Sequence, residues 1–235
     1  MQNDKFFEAH YLVNPTKFGL AVLGMIQANI FKFLKMKLDL KGKKMLELGP
    51  ADGTLADHFI RYGVDYHAME ASQKFSQVLA EKAGKDKIVT GKCPPIHFPD
   101  NYFDIVVLFN LLEHMPTADD AILLIQEIRR VLKSDGIIVI GIPSILHWKF
   151  YFFEADYTHN FVTSQRRINQ LLLDNNFSFI GSKSYSLLFN FLDRIIHFMF
   201  YYFPAGFFPE PFKERAANFK FTLLLKTIIM GKKNS

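Results

Sequence analysis

The sequence predicts an α/β fold, a doubly wound and mostly parallel sheet with helices on both faces. Three observations carry that prediction. Short apolar runs near 44–48, 64–69, 87–90, 104–109 and 137–142 alternate with helical patterns near 54–62, 74–83, 119–133 and 164–174. Strands alternating with helices imply parallel pairing through right-handed crossovers. The segment Lys44-Met-Leu-Glu-Leu-Gly-Pro-Ala-Asp-Gly53 reads as a strand ending in a carboxylate, then a tight glycine turn, then a helix starting near Thr54. A second acid, Glu70, closes the next strand, Val64-Asp-Tyr-His-Ala-Met-Glu70. A glycine turn followed by an acid after the next strand is the ground plan of a nucleoside-binding domain, because the turn lets the backbone approach the ligand and the acid reaches ribose hydroxyls.

Composition sets the bounds. The 235 residues suit one large α/β domain with a buried core. Apolar residues make up 49% and charged residues 22%, ordinary values for a globular chain. The 26 phenylalanines fit a compositional bias toward Phe, Ile, Lys and Asn. A lone cysteine, Cys93, excludes an intrachain disulfide and points to a reducing compartment. The stretch Met1 to Glu8 lacks a basic region followed by an apolar run, so no signal peptide is expected. Net charge is +5, with lysines gathered at Lys32, Lys35, Lys37, Lys41, Lys43 and Lys44 and again at Lys226, Lys232 and Lys233. The favoured reading is a solvated basic face; the alternative is attraction to phosphate on an acceptor, a membrane or a nucleic acid.

Taken in order, Asn14-Pro15 reads as a cap and first-turn proline for a helix over 16–37. Gln27, Asn29, Lys32 and Lys35 within that helix argue against a membrane span. The central strands and helices follow from Lys44. The last two strands are expected at 177–185 and 219–230. Between them, 187–203 places Asn190, Asp193, Arg194, His197 and Tyr201 on a narrow polar stripe of a helix that is otherwise Leu, Ile, Phe and Met. Such a helix packs in the core, covers an apolar substrate as a lid, or lies in a membrane surface. The aromatic loop 204–211 is expected to complete a pocket wall.

The pattern Glu47-x-Gly49-x-Ala51-x-Gly53 resembles the first motif of class I S-adenosylmethionine-dependent methyltransferases, an acid followed by G-x-G-x-G. Ala51 stands where that motif has its middle glycine, a methyl group that is tolerable on a backbone of negative φ. The run from His97 to His114, with a "P-D-x-x-F-D" turn and an apolar strand ending in "L-E-H", resembles the fourth-strand region of the small-molecule "type 11" branch. Val131-Leu-Lys-Ser-Asp-Gly-Ile-Ile-Val-Ile140 resembles the helix, turn and fifth strand that follow. The resemblance implies a seven-stranded Rossmann-like sheet whose last strand is antiparallel and inserted beside the sixth. It also implies a single methyltransferase domain over 1–235: a helical cap over 1–40, a cofactor-binding core over 41–186, an aromatic helical insertion or lid over 187–218, and the last strand.

The same resemblance assigns site residues. Glu70, with Ala71 beside it, accepts hydrogen bonds from the ribose hydroxyls. Gly49, Pro50, Ala51 and Gly53 form the loop under the amino-acid end of S-adenosylmethionine, ordered by Glu47 and Asp52. Asn110 and Leu111, after the fourth strand, meet the cofactor's ammonium end. Where the family shows "G-D-A" to hold adenine, this chain has Gly91-Lys92-Cys93. Lysine accepts no hydrogen bond, so adenine is left to backbone groups such as the Cys93 amide and to apolar contact.

Two histidines are candidate bases, because an oxygen or nitrogen acceptor must lose a proton. His114 follows the fourth strand, at the edge where open sheets bind ligands. His159 ends the stretch Asp156-Tyr-Thr-His159, where Asp156 is expected to orient it; the alternative is a capping and packing pair. No metal site is expected, since Asp156 and His159 lack a third ligand at a telling spacing. The reading is methyl transfer to a small, lipid-linked or saccharide-linked acceptor, at oxygen, with His159 as base. Two rivals remain. One is a non-catalytic nucleoside-binding protein of the same fold, favoured by Ala51 and Lys92. The other is a nucleic-acid methyltransferase drawn by the lysines, weakened by the lack of an RNA-binding module or an N/D-P-P-Y/F motif. A cytoplasmic location is expected, with peripheral contact at the inner membrane surface as an alternative. The oligomeric state is left open.

Overall fold

The computed structural model describes residues 17–203, 209 and 212–235. The expected Asn14-Pro15 cap and, apart from Pro209, the aromatic loop lie outside the described residues.

The chain begins with α1 (Lys17–Lys37), then β1 (Lys44–Leu48), α2 (Thr54–Tyr62), β2 (Asp65–Glu70), α3 (Gln73–Ala83), β3 (Ile88–Thr90) and β4 (Phe103–Phe109). It continues with α4 (Ala118–Val131), β5 (Leu132–Pro143), two short helices α5 (Ile145–Trp148) and α6 (Tyr151–Glu154), α7 (Gln165–Asp174), β6 (Phe177–Tyr185), α8 (Leu192–Tyr201), α9 (Phe212–Leu223) and β7 (Lys226–Lys233). The seven strands form one sheet in the order β3-β2-β1-β4-β5-β7-β6. The first five pair in parallel, and β7 lies antiparallel between β5 and β6. Strand order reverses between β1 and β4, so the crevice at their carboxyl ends is the natural ligand position.

The pleat sorts the apolar residues of each strand to two faces. Leu46, Leu48, Val106, Leu108, Ile138 and Ile140 pack against Leu124, Ile125 and Ile128 of α4 and Ile168 and Leu172 of α7. Met45, Tyr66, Val107 and Val139 pack on the other face against Phe59 of α2, Leu79 of α3 and the α1 residues Val22, Ile26, Ile30, Phe33 and Leu34. The spacing of those α1 residues gives one helix face to the core. By length and composition alone α1 is also apolar enough to cross a membrane, despite its polar residues.

The carboxyl end of the chain departs from the expected pattern. Residues 219–223 belong to α9, and the last strand starts at Lys226. Phe219 and Phe221 alternate as strand residues would, but short apolar runs do not separate helix from strand. The helix turns the two rings to different neighbours: Phe219 meets Phe18 and Phe200, while Phe221 stacks on Trp148. The helix expected over 187–203 is shorter as well. It starts at Leu192, and 187–191 is a loop wound around one carboxylate. Asp193 is 1% exposed and accepts the backbone N–H groups of Ser186, Leu187, Leu188 and Phe189 at 2.7–3.0 Å. Asp193 therefore points inward, as does His197, whose Nδ1 accepts the Leu225 N–H. Phe191, Ile195, Phe198, Met199 and Tyr202 point outward and are 52–77% exposed. The inner face thus mixes Asp193 and His197 with Ile196 and Phe200, which pack on the α1 side of the core, while Asn190 and Arg194 of the polar stripe are exposed.

Candidate functional site

The cofactor-side residues all sit at the carboxyl ends of neighbouring strands. The loop after β1 uses three left-handed positions at alternate residues: Gly49 has φ 67°, Ala51 φ 50° and Gly53 φ 70°. Glycine serves the first and last because L side chains rarely adopt that backbone. A Cβ at Gly53 would also come within 2.6 Å of the Leu79 side chain. Ala51 departs from the expectation of a negative φ. Its left-handed turn is held by its own N–H, which donates to Glu70 Oε2 at 3.0 Å.

Glu70 therefore ties two loops together. Its other oxygen accepts the Ser72 N–H at 2.9 Å, and Ser72 caps α3. Each carboxylate oxygen keeps a further lone pair for a ribose hydroxyl. Burial raises the Glu70 pKa, and the Ser72 and Ala51 N–H groups pull it back. Glu47 is fully buried beneath the loop, with Tyr66 donating to it at 2.7 Å. Burial pushes its carboxyl up to about 7, against the Tyr66 hydrogen bond. Asp52 takes the Thr54 N–H and hydroxyl, fixing the start of α2. Leu111 packs 3.3 Å from where a Gly49 Cβ would stand. Asn110 is another left-handed residue, its N–H donating to Gly141. Ala71 follows Glu70 at the exposed rim. Lys92 is exposed and Cys93 half-buried, with burial pushing the thiol up to about 12, so it stays neutral.

The acceptor-side residues come together through backbone hydrogen bonds. Phe161 N–H donates to the Glu113 carbonyl, Ile145 N–H to the Thr163 carbonyl and Thr163 Oγ1 to the Pro143 carbonyl. These bonds lay the segment after α6 across the ends of β4 and β5. The rings of His114 and His159 end 5.0 Å apart, centroid to centroid.

Asp156 does not orient His159 as expected. Its Oδ1 accepts the Thr158 N–H at 2.8 Å and the Thr158 hydroxyl at 2.7 Å. This local turn occupies Oδ1 of the carboxylate, as Asp and Thr side chains often do two residues on. The Thr158 hydroxyl has one proton, which goes to Asp156, so its oxygen accepts from His114 Nδ1 at 2.7 Å. His159 Nδ1 instead meets the Phe152 carbonyl, which can only accept. Both imidazoles thus carry their proton on Nδ1, and each has Nε2 as its basic nitrogen. Burial lowers the His159 pKa, partly offset by the Phe152 carbonyl and Asp156, which keeps the ring neutral near pH 7.

Two participants were not singled out from the sequence. Thr158 is one, although a threonine two residues after an aspartate is a recognisable turn signal. Glu113 is the other. It is 0% exposed, and among the described residues neither carboxylate oxygen has a hydrogen-bond partner. Burial pushes its carboxyl up to about 8, with Asp156 adding to the rise and Lys226 opposing it.

Parts of this chain resemble known proteins. Residues 46–140 match the family model described as a methyltransferase domain. Over those residues the chain is similar to that family. A curated relative of this chain is the mitochondrial ubiquinone biosynthesis O-methyltransferase of Schizosaccharomyces pombe, 28% identical over 138 residues. The match covers 56% of this chain and 46% of that protein, so the chain spans about half the length of the curated relative. Three solved structures share the methyltransferase fold. A SAM-dependent methyltransferase from Archaeoglobus fulgidus aligns with TM-score 0.62 at 14% identity, over 88% of this chain and 94% of its own. A Haemonchus contortus phosphoethanolamine N-methyltransferase, in complex with phosphomonomethylethanolamine and S-adenosylhomocysteine, aligns with TM-score 0.62 at 16% identity, over 88% and 52%. The magnesium protoporphyrin IX methyltransferase of Synechocystis, with bound S-adenosylhomocysteine, aligns with TM-score 0.59 at 13% identity, over 91% and 84%.

Proposed function

We propose that this methyltransferase moves the methyl group of S-adenosylmethionine to a hydroxyl of a small, lipid-linked or saccharide-linked acceptor. The observation that carries the reading is the His114–His159 pair at the β4 end, two imidazoles with Nε2 as the basic nitrogen, beside the strand that leads into the glycine loop. The loop after β1 and Glu70 hold the cofactor, and the histidine pair draws the proton from the acceptor. Transfer forms the oxygen–carbon bond as the carbon–sulfur bond breaks, leaving S-adenosylhomocysteine. The enzyme's work is to align the nucleophile with the methyl group and keep water out. The O-methyltransferase name of the fungal relative supports an oxygen acceptor.

A lipid-linked acceptor is favoured by the outward apolar face of α8. A groove of about 570 Å³ adds to this, lined by Lys32, Lys37 and Lys183 together with Leu188 and Phe189, which lead toward that helix. Lysines at the rim of an apolar surface suit contact with an anionic membrane.

The test combines calorimetry with turnover. Glu70→Ala should weaken S-adenosylhomocysteine binding by about 2–4 kcal/mol, the value of the lost charge-assisted hydrogen bonds. His159→Ala should cut methylation of a hydroxylated acceptor about a hundredfold, a typical general-base contribution, while cofactor affinity holds. Undiminished cofactor binding in the first variant, or undiminished turnover in the second, would remove the corresponding half of the assignment.

A further inference from the structure

We infer that Glu113, His114 and His159 form a divalent-cation site, and that zinc is the ion their donor set suits best. Ligand atoms from the three side chains lie within 4.8 Å of one another, close enough for one ion to draw them onto itself with small side-chain shifts. Two imidazole nitrogens and one carboxylate oxygen are a familiar donor set for zinc in catalytic sites, where a fourth position stays open to water or substrate.

Two observations independent of that proximity point to a ligand. The first is Glu113. A fully buried carboxylate without any hydrogen bond is costly, yet both of its oxygens lack a partner among the described residues. A cation would satisfy them. The second is the arrangement behind each imidazole. His159 gives its Nδ1 proton to the Phe152 carbonyl, and His114 gives its own to Thr158, itself anchored on Asp156. Ligating histidines are held in this way, the remote N–H pinned by a carbonyl or carboxylate so that Nε2 faces the metal.

The site takes a ligand set that no sequence spacing revealed, because His159 is brought to it by tertiary hydrogen bonds such as that from Phe161 N–H to the Glu113 carbonyl. The role of the ion rests on the hydroxyl-methylating reading; its binding does not. With both Nε2 lone pairs on the ion, the histidines act as ligands and not as the base: an acceptor hydroxyl held at the open position would become more acidic and lose its proton to solvent. Its oxygen would then take the methyl, and the carbon–sulfur electron pair would stay on sulfur.

The experiment uses the full chain, stripped with a chelator and titrated with zinc sulfate by calorimetry, then loaded with cobalt(II) for visible absorption. One equivalent of zinc per chain is expected. The cobalt form should show the ligand-field bands of a four- or five-coordinate centre. His159→Ala should abolish both signals. Thr158→Val, which removes only the relay, should weaken zinc about ten- to a hundredfold. Circular dichroism and S-adenosylhomocysteine binding certify that each variant is folded. Should a folded Glu113→Gln or His159→Ala variant bind zinc as the wild type does, or should the wild type bind none, the site is refuted. The rival account, a Glu113 carboxyl simply kept protonated by burial beside Lys226, predicts that second result. If zinc fails to bind while His159→Ala still abolishes methylation, the site falls and the proposed function stands. If zinc binds but chelation leaves methylation unchanged, the ion's role falls and the site stands.

Discussion

Ala51 occupies a backbone position that favours glycine, and the reason it is tolerated is a single bond. Its N–H points at Glu70 Oε2 only because φ is 50°. A left-handed alanine costs about 1–2 kcal/mol relative to its usual backbone, and a glycine costs about 0.5–1 kcal/mol in added freedom of the unfolded chain. The first is at least as large as the second. Ala51→Gly should therefore leave stability unchanged or raise it by up to about 1.5 kcal/mol, where the same change at a negative-φ position costs up to about 1 kcal/mol. A thermal melt showing a clear loss would mean that the alanine methyl packs usefully and the strain argument is wrong. The acid and the glycines were legible in the sequence because each needs a residue type that few others can replace. The sign of φ at Ala51 was not, because it is set by Glu70 on another strand. The sequence also suggests the wrong partner for Asp156, and for a related reason. Thr158, nearer in the chain, takes the carboxylate before His159 can reach it.

At the scale of elements, α8 is the feature whose pattern misleads. An amphipathic helix normally turns its apolar face to the core; this one turns Asp193 and His197 inward beside Ile196 and Phe200 and leaves Ile195, Phe198 and Met199 outside. Asp193 holds four backbone N–H groups of the preceding loop. Asp193→Ala would leave those donors to find other partners inside the protein. A loss of about 2–4 kcal/mol in urea unfolding is expected, together with faster proteolysis over 186–191, since each buried orphan costs about 1–3 kcal/mol. The outer face makes the opposite prediction. Phe198 and Met199 are over half exposed, so Phe198→Asp and Met199→Asp should not lower the melting temperature. Both should abolish sedimentation with anionic vesicles if α8 meets a lipid surface. Equal sedimentation of wild type and variants, or none by either, would leave the outward face without a membrane role. The composition of α8 could be read from the sequence, but its orientation could not, because only the fold tells which side carries the loop that Asp193 ties down. The elements from β1 to β4 are legible because their strands are short, apolar and bounded by turns. A strand at 219 is suggested too early because aromatic alternation imitates a pleat.

For the molecule as a whole, Glu47 makes stability depend on pH. Its folded pKa is raised from 4.5 to about 7 by burial. A raised acid contributes its full stability below the unfolded value and loses it as pH rises through the folded one. Between about pH 5 and pH 8 the wild type should therefore lose on the order of 3 kcal/mol relative to Glu47→Gln, at about 1.4 kcal/mol for each tenfold change in proton affinity. Melting curves of the two proteins across that range check this, and parallel curves would show that Glu47 is already ionised in the folded state. The parallel pairing of the first five strands followed from the sequence, since strands that alternate with helices pair through right-handed crossovers. The place of β7 came only with the resemblance to a known family. That place carries a consequence for biosynthesis. β7 lies between β5 and β6, yet the ribosome makes it after both. Chains fold from the amino terminus as they emerge, so a nascent chain can build the parallel half of its sheet early but must hold an open lane beside β5. Any stall within 226–233 would leave β5 and β6 with unpaired edges, the template on which a second nascent chain could dock.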